Sequence, residues 1–152
     1  MNAELDRMAA ALNLDAERSE RLRLAFGHAC AWRVRHFLED PQVLACLDGL
    51  TRWLEGAHEH APLESLAATA ARLAAHHPGS GSLDGCGHAA VSASQAVAHA
   101  LAGRALQAAE YAAYAAVYGE GGYGAVMDDD SFGPERAWQL RQLAALASAE
   151  RK

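Results

Sequence analysis

The sequence predicts a single all-α domain, a bundle of about six helices around a long, buried, alanine-rich central helix. Three observations carry this. Sustained period-2 alternation and clustered β-branched residues, the marks of strands, are missing. Helix start and stop residues recur at helix-length intervals. Alanine is the commonest residue of 85–103, which hold no Asp, Glu, Lys or Arg, so this helix reads as apolar all round and belongs inside a core.

The elements follow in order. Residues 3–12 form a short first helix that stops near Asn13. Asp15, followed by Glu17 and Glu20, opens a second helix to about Leu38, acids at its start favouring the positive end of the helix dipole. Asp40-Pro41 reads as an N-cap followed by proline at the first helical position, and Gly56 closes that third helix. Pro62 starts a fourth, ending at His76-His77 ahead of Pro78-Gly79. Residues 79–82 are a Gly/Ser connector. The fifth helix begins near Asp84 and runs to Tyr118, bent at Gly103. Residues 119–133 contain five glycines and read as a long Gly/Asp-rich loop, a kind of segment usually mobile or functional. Pro134-Glu135 opens a last helix to about Ala149. At 100° per residue, Leu22, Phe26, Ala29, Cys30 and Phe37 line one face of the second helix, and Val43, Leu47, Leu50 and Leu54 one face of the third.

Residues 1–152 suit one domain, long enough to bury roughly two-thirds of its unfolded surface. Three widely spaced cysteines and no secretory leader argue for reduced thiols and a cytoplasmic location. A membrane span is disfavoured over residues 85–103, where His88, Ser92, Ser94, Gln95 and His99 interrupt a stretch poor in the Leu, Ile, Val and Phe that dominate true spans. The net charge is −6, and no Lys or Arg occurs between Arg104 and Arg136 while Glu110, Glu120, Asp128, Asp129, Asp130 and Glu135 do. Such a surface repels phosphate backbones and suits a basic partner. The competing reading is a solvated acidic loop that serves solubility.

Arg33 falls within the second helix's apolar stripe, and a buried guanidinium must be paired. Glu110 is the expected partner. His88, Ser92, Gln95 and His99 form a polar line on the central helix and, with Arg33, a candidate buried polar cluster. They cannot share one metal ion: His88 and His99 stand about 16 Å apart along the axis at 1.5 Å per residue. His76-His77 and His58-x-His60 offer no better spacing, so neither a metal nor another cofactor is expected. No nucleophile elbow, phosphate-cradling glycine loop or calcium-loop spacing is present, and the chain does not read as an enzyme. Tyr111, Tyr114 and Tyr118 stand at i, i+3 and i+7 beside the acidic interval, with Tyr123 beyond. That pattern fits core packing first and a contact anchor second.

Four segments carry a resemblance: Ala29-Cys30-Ala31-Trp32-Arg33-Val34, Leu50-Thr51-Arg52-Trp53-Leu54-Glu55-Gly56, His88-Ala89-Ala90 with Gln95-Ala96-Val97-Ala98-His99-Ala100-Leu101, and Glu135-Arg136-Ala137-Trp138-Gln139-Leu140-Arg141-Gln142-Leu143. Their order, over residues 21–146, resembles the alanine-rich, all-helical immunity proteins of bacterial polymorphic toxin systems. The pattern departs at residues 119–133 and at His76-His77-Pro78. The resemblance implies a non-enzymatic cytoplasmic protein that binds and neutralises a cognate toxin, with a basic nuclease as a fitting partner. On that reading Glu110, Tyr114, Tyr118, Glu120, Tyr123, Asp128, Asp129 and Asp130 are the candidate contact residues. The alternative is a ligand-binding bundle or enzyme with a pocket around Arg33, His88 and His99. A third option is a homo-oligomeric structural protein.

Overall fold

A computed structural model describes residues 2–56, 60–77 and 86–150, and these are helical with no strand. Seven α-helices are present among them rather than six: α1 (Ala3–Ala11), α2 (Glu20–Arg33), α3 (Pro41–Leu54), α4 (His60–Ala75), α5 (Cys86–Leu101), α6 (Ala105–Val126) and α7 (Gly133–Glu150).

Local chemistry sets most of the ends. Asn2 caps α1, its side-chain oxygen accepting from the Leu5 N–H at 3.1 Å, and Asn13 stops it in the left-handed region at φ +53°. Asp40 caps α3 by accepting from Gln42 N–H at 2.8 Å, with Pro41 in the first turn and Gly56 at φ +125° beyond the end. The second helix is shorter than expected, with one-turn 3₁₀ segments on either side at Glu17–Ser19 and Arg35–Phe37. Before it, the Arg23 guanidinium donates to the Leu14 and Ala16 carbonyls, both at 2.6 Å, and fixes the entry. After it, the tightened turn delivers Phe37 to Gly119 of α6. A Cβ at Gly119 would meet the tip of the Phe37 ring, so any larger residue there makes Phe37 shift.

The expected central helix is two helices. The chain turns at residues 102–104, where Gly103 takes φ +77°, and α6 folds back along α5. The ring pairs His99–Tyr111 and His88–Tyr118 show the antiparallel course. Alanine makes this hairpin close. Ala89, Ala90, Ala93, Ala96 and Ala100 on α5, and Ala105, Ala108, Ala109, Ala112 and Ala115 on α6, are all buried. Around the hairpin, α5 packs on α2, α3 and α4, while α7 packs on α2 and α6 and holds α1. The main core joins residues from α1 through α7. The expected stripes lie on it: Leu22, Phe26 and Cys30 on α2 and Val43, Leu47 and Leu50 on α3 are buried, with Ala29, Phe37 and Leu54 half-buried.

The 15-residue loop expected at 119–133 is largely helical. α6 continues to Val126 across a kink at Gly122, whose φ +66° and ψ −155° belong to a region reserved for glycine. A 3₁₀ turn, Asp129–Phe132, then leads into α7. Its Phe132 joins Ala113 and Val117 in a second, smaller apolar cluster, with Ala125 and Val126 against it. No described helix is long and apolar enough to cross a membrane.

Candidate contact face on α6 and the acidic turn

The outer side of α6 carries Gln107, Glu110, Tyr111, Tyr114 and Tyr118, one stripe at 100° per residue opposite the buried alanines. Glu110, Tyr111, Tyr114, Glu120 and Tyr123 are exposed and Tyr118 is half-buried. The tyrosines are therefore surface groups, not the core stripe that their spacing fits first. Histidines from α5 hold them in place. The His99 ring stacks on Tyr111 with centroids 5.1 Å apart and planes within 9°. His88 stacks on Tyr118 at 5.1 Å and takes the edge of Tyr123 at the same distance. Tyr114 meets Phe132 edge-to-face at 5.1 Å. Such pairs restrict side chains that would otherwise lose rotamer freedom on contact with a partner.

The polar line on α5 thus turns toward α6, and it is half-buried at His88, Ser92, Gln95 and His99. The fully buried hydroxyl is its neighbour Ser94, which donates to the Ala90 carbonyl at 3.0 Å. Arg33 does not join that line. Its side chain is 40% exposed and its Nε donates to both carboxylate oxygens of Glu135, at 2.9 and 3.1 Å. Its guanidinium carbon lies 4.4 Å from the Trp138 ring centroid. The expected partner, Glu110, faces outward instead, because Arg33 sits at the α2–α7 contact while Glu110 lies on the free side of α6. Pockets beside α1, α2 and α6 are lined by other residues than Arg33, His88 and His99.

The acidic run continues the face. Asp128 accepts from the Asp130 N–H at 3.1 Å and so caps the 3₁₀ turn. Asp129 pairs with Arg136 at 3.1 Å. All three aspartates are exposed. Beside them Met127 is 87% exposed, the most open large apolar side chain among the described residues. Its place next to the aspartates was the one sequence signal for it, since an apolar residue at a polar turn fits an adaptable contact. Phe132, Arg136 and Gln139 also reach this region, and only the fold brings them there.

Elsewhere, His28 bonds Thr51 Oγ1 at 2.7 Å and stacks on Trp32. Burial lowers its pKa below the usual histidine value, against the pull of Glu55 and Asp48. Burial and the nearby Arg104, whose Nε donates to His99 Nδ1 at 2.8 Å, lower that of His99. A folded-state pKa below the unfolded 6.5 means the unfolded chain takes up protons first, so stability is lost as pH falls through about 6.5. The melting temperature is expected to drop between pH 7 and pH 5. A His28→Asn/His99→Asn variant should show a flatter profile, and an unchanged slope would exclude these two groups as its source. Burial raises the Cys30 and Cys46 thiols above their ordinary pKa. Among the described residues no group of three His, Cys, Asp or Glu is placed to hold a metal ion, and His58 lies outside those residues.

No family model, curated protein or solved structure matches this chain.

Proposed function

We propose that the chain is a non-enzymatic immunity protein that neutralises a cognate toxin by covering it, with the α6 tyrosine face and the acidic turn as its contact surface. The observation that carries this reading is the arrangement of that surface. Tyr111, Tyr114 and Tyr123 are exposed yet held by ring contacts, and Met127 and five outward carboxylates (Glu110, Glu120, Asp128, Asp129, Asp130) stand around them. Aromatic anchors rimmed by charge are the makings of a protein interface. Acidic groups facing outward draw in a basic partner such as a nuclease and steer its approach, which speeds association at low salt.

Co-expression with the toxin encoded by an adjacent gene tests it. The two proteins should co-purify, and growth should be rescued. Replacing Asp128, Asp129 and Asp130 together with asparagine should slow association about tenfold at low salt, with a smaller effect on dissociation. Asparagine still caps the 3₁₀ turn, so the fold is spared. Failure of the two proteins to associate, or unchanged salt dependence in the triple variant, would remove this surface from consideration.

A further inference from the structure

A pocket of about 190 Å³ opens at one end of the contact face, between the start of α1, the middle of α6, the acidic turn and α7. It is smaller than the roughly 300–1,000 Å³ clefts that enclose drug-sized ligands. Its dimensions suit one side chain rather than a cofactor.

Its lining has a definite chemistry. Asp6 and Glu110 contribute carboxylates, and neither has an ion-pair partner among the described residues. The one cation of the lining, Arg136, is paired with Asp129 at 3.1 Å. Arg136 also covers the Phe132 ring at 4.9 Å, and Tyr114, exposed on its outer side, is the other aromatic ring of the lining. Gln139 lines the same pocket and is only 2% exposed. Its Nε2 donates to the Ala109 carbonyl at 2.8 Å, while its Oε1 accepts from none of the described residues. That oxygen is not sealed from solvent, so it stays open to a donor entering the pocket.

We infer that this pocket is a socket for a single arginine side chain of the protein partner. The inference rests on the binding role proposed above and names the group that this surface recognises. Two free carboxylates, an open amide oxygen and a tyrosine ring ask for a cation with several N–H groups and a flat face. A guanidinium supplies five N–H donors in a plane and stacks on aromatic rings; an ammonium supplies three from a point charge. Anions are repelled by the same carboxylates.

A titration of ¹⁵N-labelled protein with N-acetyl-L-arginine amide, followed by NMR, tests this without any toxin. Saturable shifts are expected at Asp6, Glu110, Tyr114 and the Gln139 side-chain amide. The neutral isostere N-acetyl-L-citrulline amide should produce none, and N-acetyl-L-lysine amide should bind more weakly. Glu110→Gln should weaken arginine-amide binding about fivefold, as expected for loss of a charge-assisted contact. Glu110 is exposed, so the variant keeps its fold, which the rest of its spectrum verifies; Asp6→Asn provides a second, independent variant. Absence of saturable shifts, equal binding of citrulline amide or lysine amide, or unchanged affinity in both variants would overturn the inference. Such a failure leaves toxin binding standing, whereas failure to form a toxin complex leaves the titration result untouched.

Discussion

Replacing Phe26 with alanine should remove about 3–5 kcal/mol of stability, the range for emptying a fully buried phenylalanine site. Phe26 is fully buried, on the face of α2 that the rest of the core surrounds. Its helix touches α3, α5, α6 and α7, so no single neighbour can move in to fill the space. For a chain of this length each kcal/mol is worth roughly 2–4 °C, and the melting temperature should fall by about 6–20 °C. Urea unfolding followed by circular dichroism measures it. A loss below about 1 kcal/mol would mean that the site collapses freely and that α2 is not central.

Gly27, one residue on, carries the second large effect. A Cβ built there would lie 3.1 Å from the Ala100 Cα and 3.2 Å from its Cβ, so α2 and α5 meet almost backbone to backbone. Alanine at this position asks its neighbour to give by a few tenths of an ångström, while relieving glycine's helix penalty of about 1 kcal/mol. Gly27→Ala is therefore expected to be nearly neutral. Leucine adds three more carbons to the same gap and forces the helices apart, an overpacking cost at the upper end of about 1–3 kcal/mol. Comparing the two variants by thermal unfolding separates crowding from propensity. If both were equally stable, the close approach of α2 and α5 would be wrong.

Features written into a few adjacent residues were legible in the sequence. Asn13, Asp40-Pro41 and Gly56 mark helix ends because a cap or a left-handed residue acts on its own backbone. The break between α5 and α6 was visible only as a bend at Gly103. The α6 pattern of buried alanines opposite Glu110 and the tyrosines continues the helical period of α5 across Gly103, and a helical period alone does not show that the chain reverses. Glycines at 119–124 looked like a loop because glycine is read first as freedom. At Gly119 it serves room for Phe37, a contact made across the fold. The same limit holds for charge. Arg33 finds Glu135, 102 residues away, and nothing local distinguishes that acid from Glu110. At the candidate site the tyrosine spacing and the acidic interval were readable, and the exposure of Tyr111 and Tyr114 was not. The pocket draws Asp6 from α1 and Gln139 from α7, and only the completed packing brings them to α6.

The small apolar cluster of Ala113, Val117 and Phe132 stands apart from the main core. It supports the acidic turn, while the alanine hairpin and α2 to α4 are held by the larger one. The apolar contacts under the acidic turn and those that hold the bundle are thus separate sets. Substitutions around the turn are therefore expected to cost little global stability. Under the proposed toxin-binding role, that separation means a change of specificity at the turn does not draw on the stability of the main core.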